Sequence, residues 1–74
     1  MTDPDEAIEY GEETIRIIDD DLSDGALAKA ATFFESVRDK TRSIIETVEE
    51  RGEVTRAQSN ALENMREGVE KWVH

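Results

Sequence analysis

Apolar and small residues return along this chain in alternating steps of three and four. The clearest series is Leu27, Ala30, Phe34, Val37, Thr41, Ile44 and Val48, which fall on one stripe of a helix. The spacing predicts a helix from about Ala26 to Arg51. Ser23 or Asp24 would accept from its first free amides, and Gly52 would end it in the left-handed conformation. Thr55, followed three residues later by Gln58, is a capping-box pattern that opens a second helix. That helix continues through Leu62, Met65, Val69 and Trp72. The short connection from Gly52 to Thr55 implies antiparallel neighbours. Facing positions should then share a constant index sum. Val48 with Gln58, Ile44 with Leu62, Thr41 with Met65, Val37 with Val69 and Phe34 with Trp72 all sum to 106.

The N-terminal third is less regular. Asp3 and Pro4 make a good helix start, and Ile8, Gly11, Ile15, Ile18 and Leu22 follow at helical spacing. The β-branched run Thr14 to Ile18 leaves a short strand as the alternative, although no second strand is evident to pair with it. Asp19 to Gly25 reads as an acidic break. The expected fold is all-α: an antiparallel helical hairpin over residues 25–74, with a short helix in an acidic N-terminal segment, 1–24.

Charge sharpens that division. The chain has 74 residues, with 19 acids and 9 bases, for a net charge of −10. Residues 1–24 hold ten acids against Arg16 alone, which is −9, and the remaining fifty hold nine acids and eight bases, which is −1. One explanation is a docking arm for a basic partner. The other, favoured here, is adaptation to high salt, because only three lysines (Lys29, Lys40 and Lys71) occur. In composition the chain resembles small haloarchaeal proteins. No stretch approaches the roughly 20 apolar residues that span a bilayer, and no signal-peptide order is seen. A cytoplasmic protein with no membrane contact is the expectation.

So short a chain has difficulty burying enough apolar surface by itself. With no cysteine, disulfides and thiolate metal sites are excluded. The single histidine, His74, is the last residue. Asp19-Asp20-Asp21-Leu22-Ser23-Asp24-Gly25 invites a calcium loop, but neither register works. Counted from Asp19, Asp24 takes the glycine position. Counted from Asp20, Leu22 and Ala31 take ligand positions. No serine–histidine pair or phosphate loop occurs, so neither an enzyme nor a cofactor or metal site is expected. Basic residues such as Arg38, Arg66 and Lys71 are interleaved with acids, Glu35 and Glu67 lying three and four residues ahead of Arg38 and Lys71. That pattern suits intrahelical ion pairs on a solvated face and not direct contact with nucleic acid, which needs a net basic surface. Trp72, Met65 and the two phenylalanines read as core.

The stretch Ser43-Ile44-Ile45-Glu46, then Gly52-Glu53-Val54-Thr55-Arg56-Ala57-Gln58, then Ala61-Leu62-Glu63, resembles a helix–turn–helix element of phage DNA-replication-associated proteins. The overall design is also similar to the exonuclease VII small subunit, with a two-residue difference in spacing after Gly52. These resemblances imply an accessory module in a nucleic-acid-processing complex that contacts the enzyme. The favoured function is broader: a non-catalytic module that packs a helix face against a protein partner or itself. The long helix would be roughly 39 Å at about 1.5 Å per residue, overhanging its neighbour by roughly 12 Å. That overhang places the expected interaction surface at Leu27, Ala30, Phe33 and Phe34. Either the N-terminal helix, through Ile15 and Ile18, or a second chain would cover it.

Overall fold

The computed structural model describes residues 3–23, 25 and 30–73. It is an all-α arrangement of three helices, α1 (Pro4–Ser23), α2 (Ala31–Arg51) and α3 (Arg56–Val73). Among the described residues there is no strand, so the β-branched run at 14–18 is helical. Tertiary packing outweighs its modest strand preference.

The hairpin forms as its capping residues dictate. The Thr55 N–H donates to Gln58 Oε1 at 2.9 Å, and the Gln58 N–H donates back to Thr55 Oγ1 at 3.1 Å. Two otherwise orphaned amides are thereby satisfied. Gly52 has φ 69°, and its N–H reaches the Val48 carbonyl at 2.8 Å. The expected register holds where contacts report it. Thr41 Oγ1 donates to Met65 Sδ at 3.0 Å, and the Phe34 and Trp72 ring centroids lie 5.9 Å apart.

Three features of the N-terminal half differ from expectation. First, α1 is not short: its 20 residues nearly match the 21 of α2. Asp3 accepts from the Asp5 N–H at its start, and Gly25 (φ 81°) donates to the Leu22 carbonyl at its end. The acidic run Asp19–Asp21 is therefore the end of a helix and not a break. Second, Ser23 belongs to α1, Asp24 lies outside the described residues, and α2 starts at Ala31 without a side-chain cap from Ala30. Third, α2 exceeds the 18 residues of α3 by only three, so the overhang shrinks to about 4.5 Å at 1.5 Å per residue.

α1 runs antiparallel to α2 and packs along it. Its buried stripe is Ala7, Gly11, Thr14 and Ile18, rotated from the expected Ile8 and Ile15, which are half-buried. Small residues win these positions because they let the two backbones approach closely, within the range that contact side chains allow. The point where a Cβ on Gly11 would sit is 2.7 Å from Ile45 Cδ1. For the same reason Ile45, and not Ile44, is buried on α2. Ile18, Phe34, Val37 and Val69 form one core cluster, with Ala30 and Met65 packed on it. Ala30 is covered by the cluster that contains Ile18 of α1, as the first of the two expected arrangements has it, while Phe33 is left exposed.

Candidate interaction surface

Phe34 is fully buried, yet both aromatic residues beside it are more than half exposed, Phe33 at 56% and Trp72 at 58%. Phe33 meets Phe34 edge-to-face, with centroids 5.2 Å apart and planes at 79°. Trp72 meets it the same way at 5.9 Å and 89°. Consecutive helical residues point about 100° apart, because a turn holds 3.6 residues. Phe33 therefore cannot share the core stripe with Phe34. Two exposed aromatic rings are thus set against one buried ring at a single end of the bundle.

Of the four residues expected to form the surface, Leu27 lies outside the described residues. Ala30 is half-buried on the core, Phe34 is core, and Phe33 is exposed. Trp72, read from the sequence as core, is instead the second exposed aromatic. The signal that marks it is a second stripe on α3, Ala57, Ala61, Gly68 and Trp72, running beside the buried Leu62 and Val69. These four are half-buried or exposed, and a Cβ on Gly68 would meet nothing within 4 Å.

The basic residues do not all lie on a solvated face. Arg66 reaches from α3 to α1, where its Nε donates to Thr14 Oγ1 at 3.0 Å and its Nη2 donates to the Tyr10 carbonyl at 2.7 Å. Its guanidinium lies 3.6 Å from the Tyr10 ring centroid, and Glu13 Oε2 is 3.5 Å away. Thr14 Oγ1 in turn donates to the same Tyr10 carbonyl at 2.9 Å. Burial raises the Tyr10 phenol above the usual tyrosine range. The Arg66 charge opposes that rise, while Glu63, Glu70 and Glu13 add to it.

Arg38 likewise leaves Glu35 and pairs with Asp19 of α1 at 2.8 Å. That hydrogen bond, above all, holds the guanidinium toward its charged form. It also supplies a cation to the end of α1, where three aspartates meet the negative pole of the helix dipole and the last turn carries no base.

Between α1 and α2 an open groove of about 380 Å³ is lined by Glu12, Ile15, Arg42, Ile45, Glu46 and Glu49. It offers an ion-rich trough without an enclosing wall. Asp19, Asp20 and Asp21 radiate from successive helical positions. Among the described residues no three potential ligands are grouped to hold a metal ion, and no helix is long and apolar enough to cross a membrane. Compared with protein-family models, curated proteins and solved structures, the chain has no match.

Proposed function

We propose that this protein is a non-catalytic interaction module that packs a helix face against a protein partner. The observation carrying this reading is the exposure of Phe33 and Trp72 on the fixed platform of Phe34. Tryptophan is enriched among the residues that dominate binding energy, and a ring already held in place loses little freedom on docking. The neighbouring stripe on α3 (Ala57, Ala61, Asn64, Gly68 and Trp72) holds small, apolar and amide residues instead of paired acids and bases, which favours recognition over chemistry. A net charge of −10 supports a protein partner over direct phosphate contact. The acid surplus supports a setting of high salt.

The test compares immobilised wild type with Phe33→Ser/Trp72→Ser at high salt, circular dichroism having shown both folded. A protein retained by the wild type and lost from the variant is the expected result. Equal retention by both, or retention of no protein by either, a second copy of this chain included, overturns the reading.

A further inference from the structure

The carboxylates of this chain are distributed unevenly around the bundle. α1 carries most of its acids exposed, with Asp19 and Asp21 half-buried, Asp19 against Arg38 of α2. The acids of α2 (Glu35, Asp39, Glu46, Glu49 and Glu50) follow the α1 side and the back of that helix. Those of α3 (Glu63, Glu67 and Glu70) do the same; Glu63 and Glu70 are near enough to Tyr10 of α1 to raise its phenol. One broad side remains. On the flank of α2 turned away from α1 stand Phe33, Lys40, Ile44, Thr47 and Arg51. On the matching flank of α3 stand Ala57, Ala61, Asn64, Gly68 and Trp72. Neither flank contributes an acid, although acids are 19 of the 74 residues.

We propose that this α2/α3 face docks a second copy of the same chain, in an antiparallel twofold dimer. This rests on the reading of an interaction module and supplies its partner. Two chains of charge −10 repel across every other side, so the carboxylate-free face is where they approach at least electrostatic cost.

The order of residues along the face is also self-complementary. A twofold axis lying in the face and crossing the helices midway between Phe33 and Arg51 brings residues 33 and 51 of the two copies together, since a twofold interface pairs each position reciprocally. On α2 that level is residue 42, and the observed register sets residue 64 of α3 beside it. There the same axis sets Trp72 over Ala57 of the second copy and Gly68 over Ala61. Large side chains thus face small ones, the small residues admit close approach of the helices, and the Arg51 guanidinium reaches an exposed aromatic ring, an attractive arrangement. Both helices share one axis level to within a residue.

The area suffices for a modest dimer. Eighteen residues of α3 at 1.5 Å give about 27 Å of length, and two helix widths give about 20 Å. The two copies together then bury about 1,100 Å², near the lower end of specific interfaces. The dimer is accordingly expected to be concentration-dependent and to tighten as salt screens the remaining repulsion.

Sedimentation equilibrium at high salt tests this with wild type, Gly68→Glu and Glu67→Gln. Gly68 has open space beyond its Cα, so a glutamate there leaves the fold intact while placing a carboxylate within the face, opposite Ala61 of the second copy. The wild type and Glu67→Gln should reach twice the chain mass as concentration rises, and Gly68→Glu should stay at the monomer mass. A wild type that remains monomeric, or a dimer that Gly68→Glu does not weaken, overturns the proposal. Either failure is distinguishable from failure of the broader reading. A partner captured by wild type and lost from Phe33→Ser/Trp72→Ser would still uphold an interaction module with a different partner.

Discussion

Ile45 Cδ1 fills the space that a side chain on Gly11 would occupy, 2.7 Å from the ideal Cβ position, with Ile45 Cγ1 at 2.8 Å. This contact sets how closely α1 and α2 approach, and it gives two glycines of the same chain opposite roles. Gly68 is also helical but meets nothing within 4 Å. Replacing Gly68 with alanine should stabilise the protein by about 1 kcal/mol, the helix-propensity difference. Gly11→Val should destabilise it by about 1–3 kcal/mol, because the branched Ile45 must be displaced. Urea denaturation of both variants checks the signs. A Gly11→Val protein as stable as wild type would show that the helices separate easily.

The Arg66 side chain makes two charged hydrogen bonds to α1 and is only 14% exposed. Arg66→Lys keeps the charge but cannot reproduce the planar fork or the ring stacking. A loss of about 1.5–3 kcal/mol is expected, the range for hydrogen bonds to charged groups. In a double-mutant cycle with Thr14→Val, the two losses should be non-additive by about 0.5 kcal/mol or more. Additive losses would mean that the Nε–Oγ1 bond contributes nothing.

Tyr10 links folding to alkaline pH. Its phenol is raised chiefly by burial, so the folded chain holds this proton more tightly than the unfolded chain. The resulting stabilisation is present in full below the unfolded value of about 10 and is lost as pH rises through the folded value. Because the chain has one tyrosine, its ultraviolet titration is unambiguous. The midpoint should lie above that of the urea-unfolded chain, and higher again in Arg66→Gln, where the opposing cation is gone. Coincident folded and unfolded midpoints would contradict the burial.

Salt should stabilise the fold. Residues 1–24 carry −9, and packing α1 along α2 concentrates that charge. Screening shortens its reach from about 10 Å at 0.1 M salt to about 3 Å at 1 M. The same screening weakens the Asp19–Arg38 pair, but that pair is partly exposed, at 46% and 28%, and such pairs contribute little. Repulsion dominates, so the melting temperature should climb across this range. A flat profile would show that the acids are too dispersed to matter.

The all-α fold, the turn and the start of α3 were legible because caps and periodicity are local. Thr55, Gln58 and Gly52 do what their side chains and backbone require wherever they are placed. The packing faces were legible only in part, because they depend on three helices at once. A two-helix register favours Ile44, whereas α1 and its Gly11 notch draw in Ile45. Hydropathy also passes over Ala7 and Thr14, whose value lies in being small, and Gly11 enters the expected stripe by its spacing alone. Arg66 escaped because a guanidinium amid acids looks solvated until the Tyr10 carbonyl, the Thr14 hydroxyl and the Tyr10 ring of a third helix lie beside it. Phe33 sits about 100° off the Phe34 stripe, so its exposure follows from the helical period, whereas Trp72 fits the apolar pattern and only the third dimension shows that the core is filled without it.

The most direct measurement of the exposed aromatic face uses Trp72, the one tryptophan, as its own reporter. Acrylamide quenching of its fluorescence is followed at high salt as protein concentration rises. If the face is a docking surface for a second copy, quenching is strong in dilute wild type and falls as the chains associate. In Gly68→Glu it stays strong throughout. Quenching that is weak even in dilute solution, or that never changes with concentration in wild type, would contradict an exposed docking face.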